Sequence, residues 1–262
     1  MPYVDSDGTS LYYERHGGGP AIMFVHGSGG HHAAWWQQVA ALRDEFTVVT
    51  VDLRGFGRSD SSMPEFDGQD FPGDVLAVLD HEDLTDVMLV GQSIGSVAAL
   101  RAALLRPERV SSVVLGHSLG GISHPELREL AAADRAEAVK LPVIDRLLTR
   151  SFQTEHADLT FLFQQMGTFN AAKMQDLRNL DTNGPSLDEI QSSGVRLAFL
   201  AGERDAVLTV RTVTRAHALL PGSHLEVVPG APHSMYWETP ELYNAAVARL
   251  RRTLTTPKEA AA

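Results

Sequence analysis

The stretch VMLVGQSIGSVAALRAA, residues 87–103, holds the pattern Gly-x-Ser-x-Gly at Gly91-Gln92-Ser93-Ile94-Gly95. The pattern recurs downstream in SVVLGHSLGGISHPEL, residues 112–127, as Gly116-His117-Ser118-Leu119-Gly120. The bare pattern is weak; its local context gives it meaning. A strand must end, turn sharply at the serine and run straight into a helix, so that the turn holds the hydroxyl exposed in a strained conformation. Residues around Ser93 meet that demand: VMLV precedes it, and SVAALRAALLRPE continues as a helix former to Pro107. The small residues Gly95, Ser96, Ala98 and Ala99 let that helix lie close on a sheet, with its N-terminal partial charge near the serine. Around Ser118 the demand fails. Gly121 follows Gly120 and Pro125 comes soon after, so no helix leaves Ser118 directly. Ser93 is therefore the candidate nucleophile, and Ser118 and His117 are expected at the mouth of a pocket.

Similar apolar runs recur on both sides: AIMFVHG (21–27), FTVVTVD (46–52), RVSSVVLG (109–116), RLAFLAG (196–202) and HLEVVPG (224–230). Continuous runs of this length suit strands buried on both faces, as in a parallel sheet. Between several of them, residues 33–44, 72–83, 96–108, 209–221 and 240–254 carry apolar residues at helical spacing. The alternation predicts an α/β fold: a mostly parallel central sheet flanked by helices, with right-handed crossovers. YVDSDGTSLYYERHG, near the start, reads as a hairpin turning at Asp7-Gly8. From about 123 to 183 no strand is expected, and four short helices are read instead. This predicts a core of residues 1–122 and 184–262, with an all-helical lid (123–183) inserted after the sixth strand, over the sheet edge where such folds place ligands. A helical excursion that only extends the core is the alternative.

With 262 residues, one large domain is expected. A net charge of −11 with scattered basic residues argues against a nucleic-acid or anionic-membrane surface. The absence of cysteine excludes thiolate catalysis and disulfides. No signal-like or membrane-length apolar run is seen, so a cytoplasmic location is expected.

A serine nucleophile needs a base and an acid to orient it. Among the 11 histidines, His233 stands in VVPGAPHSMYWETPE, a Gly/Pro loop after the last strand candidate. LAFLAGERDAVLTV supplies Glu203 at a strand exit and Asp205 in the loop proper; Asp205 is the better placed, with capping of the next helix as its other reading. An oxyanion hole needs two donors. The N–H of Ile94 follows the nucleophile, and that of Ser28 lies in the Gly-rich turn FVHGSGGHHAAWW. No Gly-Lys-Ser/Thr or Gly-x-Gly-x-x-Gly accompanies that turn, so a nucleotide site is not expected.

With HGSGG (26–30), DLRGFGRSD (52–60), GQSIG (91–95), GERD (202–205) and PGAPHS (229–234) in hand, the chain resembles the α/β-hydrolase superfamily along nearly its whole length. The resemblance looks closest to small single-lid esterases, lactonases and carbon–carbon bond hydrolases. It implies the order Ser93, Asp205, His233 and a structural role for Asp52, Arg54, Gly55, Gly57 and Ser59. One departure is Ser96, where many members carry a second glycine. Three functions stay open: hydrolysis of a small carboxylic ester or lactone, cleavage of a C–C bond in a β-diketone or vinylogous acid by the same triad, and slow-turnover ligand sensing. The expected partner is a small-molecule substrate, with no metal or cofactor required; monomer and homodimer both stay open. Trp35, Trp36, Phe161, Phe163, Met166, Phe169, Met235 and Trp237 are candidate lining for an apolar pocket, with core packing as the other reading.

Overall fold

The computed structural model describes residues 3–62 and 65–255. Ten strands occur in it: β1 (Tyr3–Ser6), β2 (Thr9–His16), β3 (Ala21–Val25), β4 (Thr47–Val51), β5 (Phe66–Asp67), β6 (Val87–Gln92), β7 (Val110–Gly116), β8 (Leu177–Arg178), β9 (Arg196–Gly202) and β10 (His224–Val228). Eight of them form one sheet in the order β1-β2-β4-β3-β6-β7-β9-β10. The pairs from β4 to β10 are parallel, and the antiparallel β1 and β2 close one edge. The β1–β2 turn is the expected one: Asp7 (φ 49°) and Gly8 (φ 80°) both take the left-handed conformation that a two-residue hairpin requires.

Every residue of β3, β4 and β6 is buried, which explains their unbroken apolar sequences. Successive side chains point to opposite faces and enter two separate cores. Met23, Val25, Leu89, Val113 and Phe199 pack on one side with the helices Phe71–His81, Ile94–Leu105 and Val210–Leu219. Ile22, Phe24, Met88, Val90 and Leu200 pack on the other, with Trp35 and the helix Pro240–Thr255.

Between β7 and β9 the chain forms helices Pro125–Ala138, Val143–Leu147, Arg150–Glu155 and Ala157–Met166, then 3-10 turns Gly167–Phe169 and Met174–Asp176. The expectation of an all-helical insertion needs correcting at its end. The last of the four expected helices, NAAKMQDLRNL (170–180), is not one: it contributes β8, which pairs in parallel with β5 beside the main sheet. Leu177 and Leu180 pack there with the core that buries Phe66, and this contact overrides the local helical spacing. A further helix, Leu187–Ser192, was not anticipated. Its signal was legible, because Ser186 and Glu189 form a capping box.

Candidate active site

The parallel strands deliver their C-terminal ends to one edge of the sheet, and the candidate residues gather there. Ser93 follows β6 and caps the helix Ile94–Leu105, with φ 52° and ψ −116°. That conformation is unfavourable for a residue with a side chain and is held by its surroundings. The Ser93 N–H donates to Gly116 O at 2.9 Å. A Cβ on Gly91 would lie 2.4 Å from the Ser96 backbone, and one on Gly95 would lie 2.2 Å from Val25 O. Both glycines are therefore required by close backbone approach. Ser96, fully buried, donates its hydroxyl to Gly91 O at 2.8 Å, so the hydroxyl is satisfied.

The other motif has a different geometry. Ser118 does not open a helix; its Oγ accepts from the Gly120 N–H at 3.1 Å inside a turn with positive φ at His117, Gly120 and Gly121. Gln92 lies opposite Gly116 in the sheet, so Ser93 and His117, not Ser118, are the corresponding first residues beyond the two strands.

His233 Nδ1 lies 2.9 Å from Asp205 Oδ2 and 3.0 Å from Oδ1, with both side chains buried. Gln92, adjacent to Ser93, donates its side-chain amide to His233 O at 2.9 Å and so ties the serine turn to the histidine loop. Asp205 does not cap the next helix; Thr209 does. Instead Asp205 Oδ1 accepts from the N–H groups of Val207 (2.7 Å) and Leu208 (3.0 Å). Burial pushes the Asp205 carboxyl up, but His233 and His117 outweigh it and hold the group well below the usual carboxylate range. Glu203 is a strut: it accepts from the Gly230 N–H at 2.8 Å on the exposed side of the loop.

The turn after β3 lies against Ser93, since a Cβ on Gly27 would stand 3.4 Å from Ser93 Cβ. Among the described residues no protein oxygen accepts from the N–H of Ser28 or of Ile94. Two features hold this turn. His26 accepts the Leu53 N–H at Nε2 (3.1 Å) and donates from Nδ1 to Gly27 O (2.8 Å). Burial pushes the His26 imidazole down to about 4, against the pull of Asp52. Asp52 accepts from the Arg58 N–H at 2.8 Å and meets His32 Nδ1 at 2.8 Å, which braces the neighbouring loop. Gly57 (φ 53°) must lack a side chain there, because a Cβ would lie 2.3 Å from the Asp52 carboxylate.

Sequence reasoning misplaced one residue and missed another. His117 is buried and not at a pocket mouth; its Nδ1 lies 2.9 Å from Asp205 Oδ2. Asn170, buried at the end of the inserted helices, accepts from the Gly57 N–H (3.0 Å) and donates to Gly30 O (3.1 Å), joining two core loops. Position after a strand was a signal for His117; nothing in sequence marks Asn170.

Several expected pocket residues prove to be core. Trp35, Met235 and Trp237 are 0%, 0% and 1% exposed, and Met166 is buried in the same cluster. Trp35 packs on Phe24 and Tyr236, and Trp237 donates its indole N–H to Leu159 O at 3.2 Å. Phe163 is half-buried with its ring 5.4 Å from that of Trp237. Trp36 and Phe161 are exposed, as is Phe169, whose ring stands 6.0 Å from His31. The inserted segment reaches the site's loops directly: Leu147 O accepts from the Ser234 N–H at 2.9 Å, next to His233.

The family model described as the alpha/beta hydrolase fold matches residues 20–240. An uncharacterised protein of Mycobacterium tuberculosis is 29% identical over 93% of this chain and 78% of its own length. A thermophilic esterase from Thermogutta terrifontis superposes with a TM-score of 0.79 at 25% identity, covering 98% of both chains. An enol-lactonase from Burkholderia xenovorans LB400 superposes with a TM-score of 0.76 at 21% identity, covering 96% of this chain and all (100%) of the other.

Proposed function

Because this chain belongs to the α/β hydrolase fold family and is a hydrolase, we propose that it cleaves a small carboxylic ester or lactone through an acyl-enzyme on Ser93. The observation that carries this reading is the strained Ser93 turn, φ 52° and ψ −116°, at the strand edge that also carries the His233–Asp205 pair. His233 takes the Ser93 proton as Oγ attacks the substrate carbonyl. Asp205 keeps the imidazole oriented through Nδ1 and stabilises its charged form. The developing oxyanion accepts from the N–H groups of Ser28 and Ile94, which have no acceptor to give up among the described residues. His233 returns its proton to the leaving alkoxide, and water activated by His233 then releases the acid and regenerates Ser93.

The inserted residues 123–183 serve in this reading as a cap, since they hydrogen-bond to the loops carrying His233 and Gly30. Phe169, exposed beside His31, is the candidate for contact with the apolar part of the substrate. No helix among the described residues is long and apolar enough to cross a membrane, and the reading needs no cofactor.

Hydrolysis of p-nitrophenyl acetate and butyrate, and of a lactone series, tests the proposal. Ser93→Ala is expected to lower kcat by about 10⁴-fold or more, and Ser118→Ala to stay within a few-fold of wild type. Activity that survives in Ser93→Ala and is lost in Ser118→Ala would contradict it.

A further inference from the structure

Asp205 carries two imidazoles, and the chemistry above uses one. His117 Nδ1 stands 2.9 Å from Asp205 Oδ2, the same oxygen that His233 Nδ1 approaches at 2.9 Å. The two rings lie 5.4 Å apart, edge to face. His117 is the first residue beyond β7, as Ser93 is the first beyond β6. Both take a positive φ, 55° and 52°, a conformation unfavourable for a residue with a side chain. The backbone of His117 is fixed by its N–H bond to Leu200 O at 2.9 Å. The bend at His117 thus directs a buried ring under the acid.

The hydrogen-bond inventory fixes the state of that ring. A carboxylate only accepts, so His117 Nδ1 must carry the proton it donates to Asp205. His117 Nε2 is buried with no partner among the described residues. A second proton there would be a buried cationic N–H with no acceptor, so the ring stays neutral. Burial accordingly pushes the His117 imidazole down, against the pull of Asp205. The titratable groups that face it are Asp205, on the loop after β9, and His233, on the loop after β10.

We propose that His117 is a positioning residue: a neutral donor that shares Asp205 Oδ2 with His233 and takes up part of the carboxylate's interaction that His233 would otherwise have alone. A donor on the carboxylate spreads its negative charge over one more hydrogen bond. Less of that charge is then available to stabilise the His233 imidazolium. Asp205 is saturated by four groups: the Val207 and Leu208 N–H and the two imidazoles. Loss of His117 concentrates the carboxylate's interaction on His233.

The inference rests on the Ser93–His233–Asp205 reading, but its test does not need a substrate. Histidine-labelled protein is titrated by NMR as wild type, His117→Leu and His117→Asn. Leucine removes the donor at similar volume, whereas the asparagine amide can still donate near the Nδ1 position. His117→Leu is expected to raise the His233 midpoint by about one pH unit, the scale of one hydrogen bond to a charged group. His117→Asn is expected to restore most of the shift. The acid limb of kcat/KM moves in parallel if esters are turned over. A purely structural role would lower Tm in both variants and leave the His233 midpoint unmoved, which overturns the proposal. In wild type the His117 ring must be the Nδ1–H tautomer; finding Nε2–H overturns it even if His117→Leu fails to fold. A shifted midpoint in a protein that hydrolyses no ester would keep this inference and remove the proposed function.

Discussion

At the scale of single residues, the site is built on backbone positions that few side chains tolerate. Ser93 holds φ 52° and ψ −116° because Gly91 and Gly95 let strand and helix backbones close to within contact around it. Ser93→Gly relieves that strain, while Ser93→Ala keeps it. Urea unfolding is expected to show Ser93→Gly about 1 kcal/mol more stable than Ser93→Ala, with both inactive. Equal stabilities would mean that the turn stores no strain. The serine was legible because its requirements are local: a strand before it, a helix after it and small residues between. His117 was not. Its neighbour Ser118 fitted a motif, but the register, with Gln92 opposite Gly116, makes His117 rather than Ser118 the counterpart of Ser93 at the strand ends. Trp35 and Trp237 were ambiguous for a related reason. An aromatic residue near a site loop reads the same whether it faces substrate or packs under the sheet, and here both are core.

Secondary-structure elements were legible wherever periodicity was long and unopposed. The six strands read from apolar runs all occur, because burial on both faces leaves a continuous signal. Legibility failed in NAAKMQDLRNL, where a non-local pairing with β5 decides the conformation. The inserted segment also anchors through a residue with no sequence signature. Asn170 bridges Gly57 N–H and Gly30 O, so it clamps the loop after β4 to the turn carrying Ser28. Asn170→Ala leaves both backbone groups without that partner. A loss of about 2 kcal/mol in urea unfolding is expected, together with a fall in kcat of about tenfold as the turn carrying Ser28 loosens. A variant with wild-type stability and wild-type kcat would show that the clamp does nothing for the site.

For the whole molecule, the buried histidine and carboxylate network sets the response to acid. His26 is buried and neutral, held near 4 against an ordinary value of 6.5. In the unfolded chain it takes up a proton below about 6.5, while the folded form resists until about 4. The unfolded state therefore binds more protons in that window, and stability falls as pH falls through it. The expected loss from His26 is about 2 kcal/mol between pH 7 and pH 5, read from urea midpoints. His26→Asn has no group to titrate and should lose that part of the slope. The Asp205 carboxyl, held low by its two histidines, adds a further loss in the same direction at more acid pH, below the ordinary carboxylate range. An unchanged slope in His26→Asn would place the acid sensitivity elsewhere.

The most direct test of the central claim is to treat the protein with diethyl p-nitrophenyl phosphate and locate the adduct by peptide mass spectrometry. One diethylphosphoryl group on Ser93, absent in Ser93→Ala and formed far more slowly in His233→Ala, is the predicted result. An adduct on Ser118, or none in folded wild type, would contradict the assignment of Ser93 as the nucleophile.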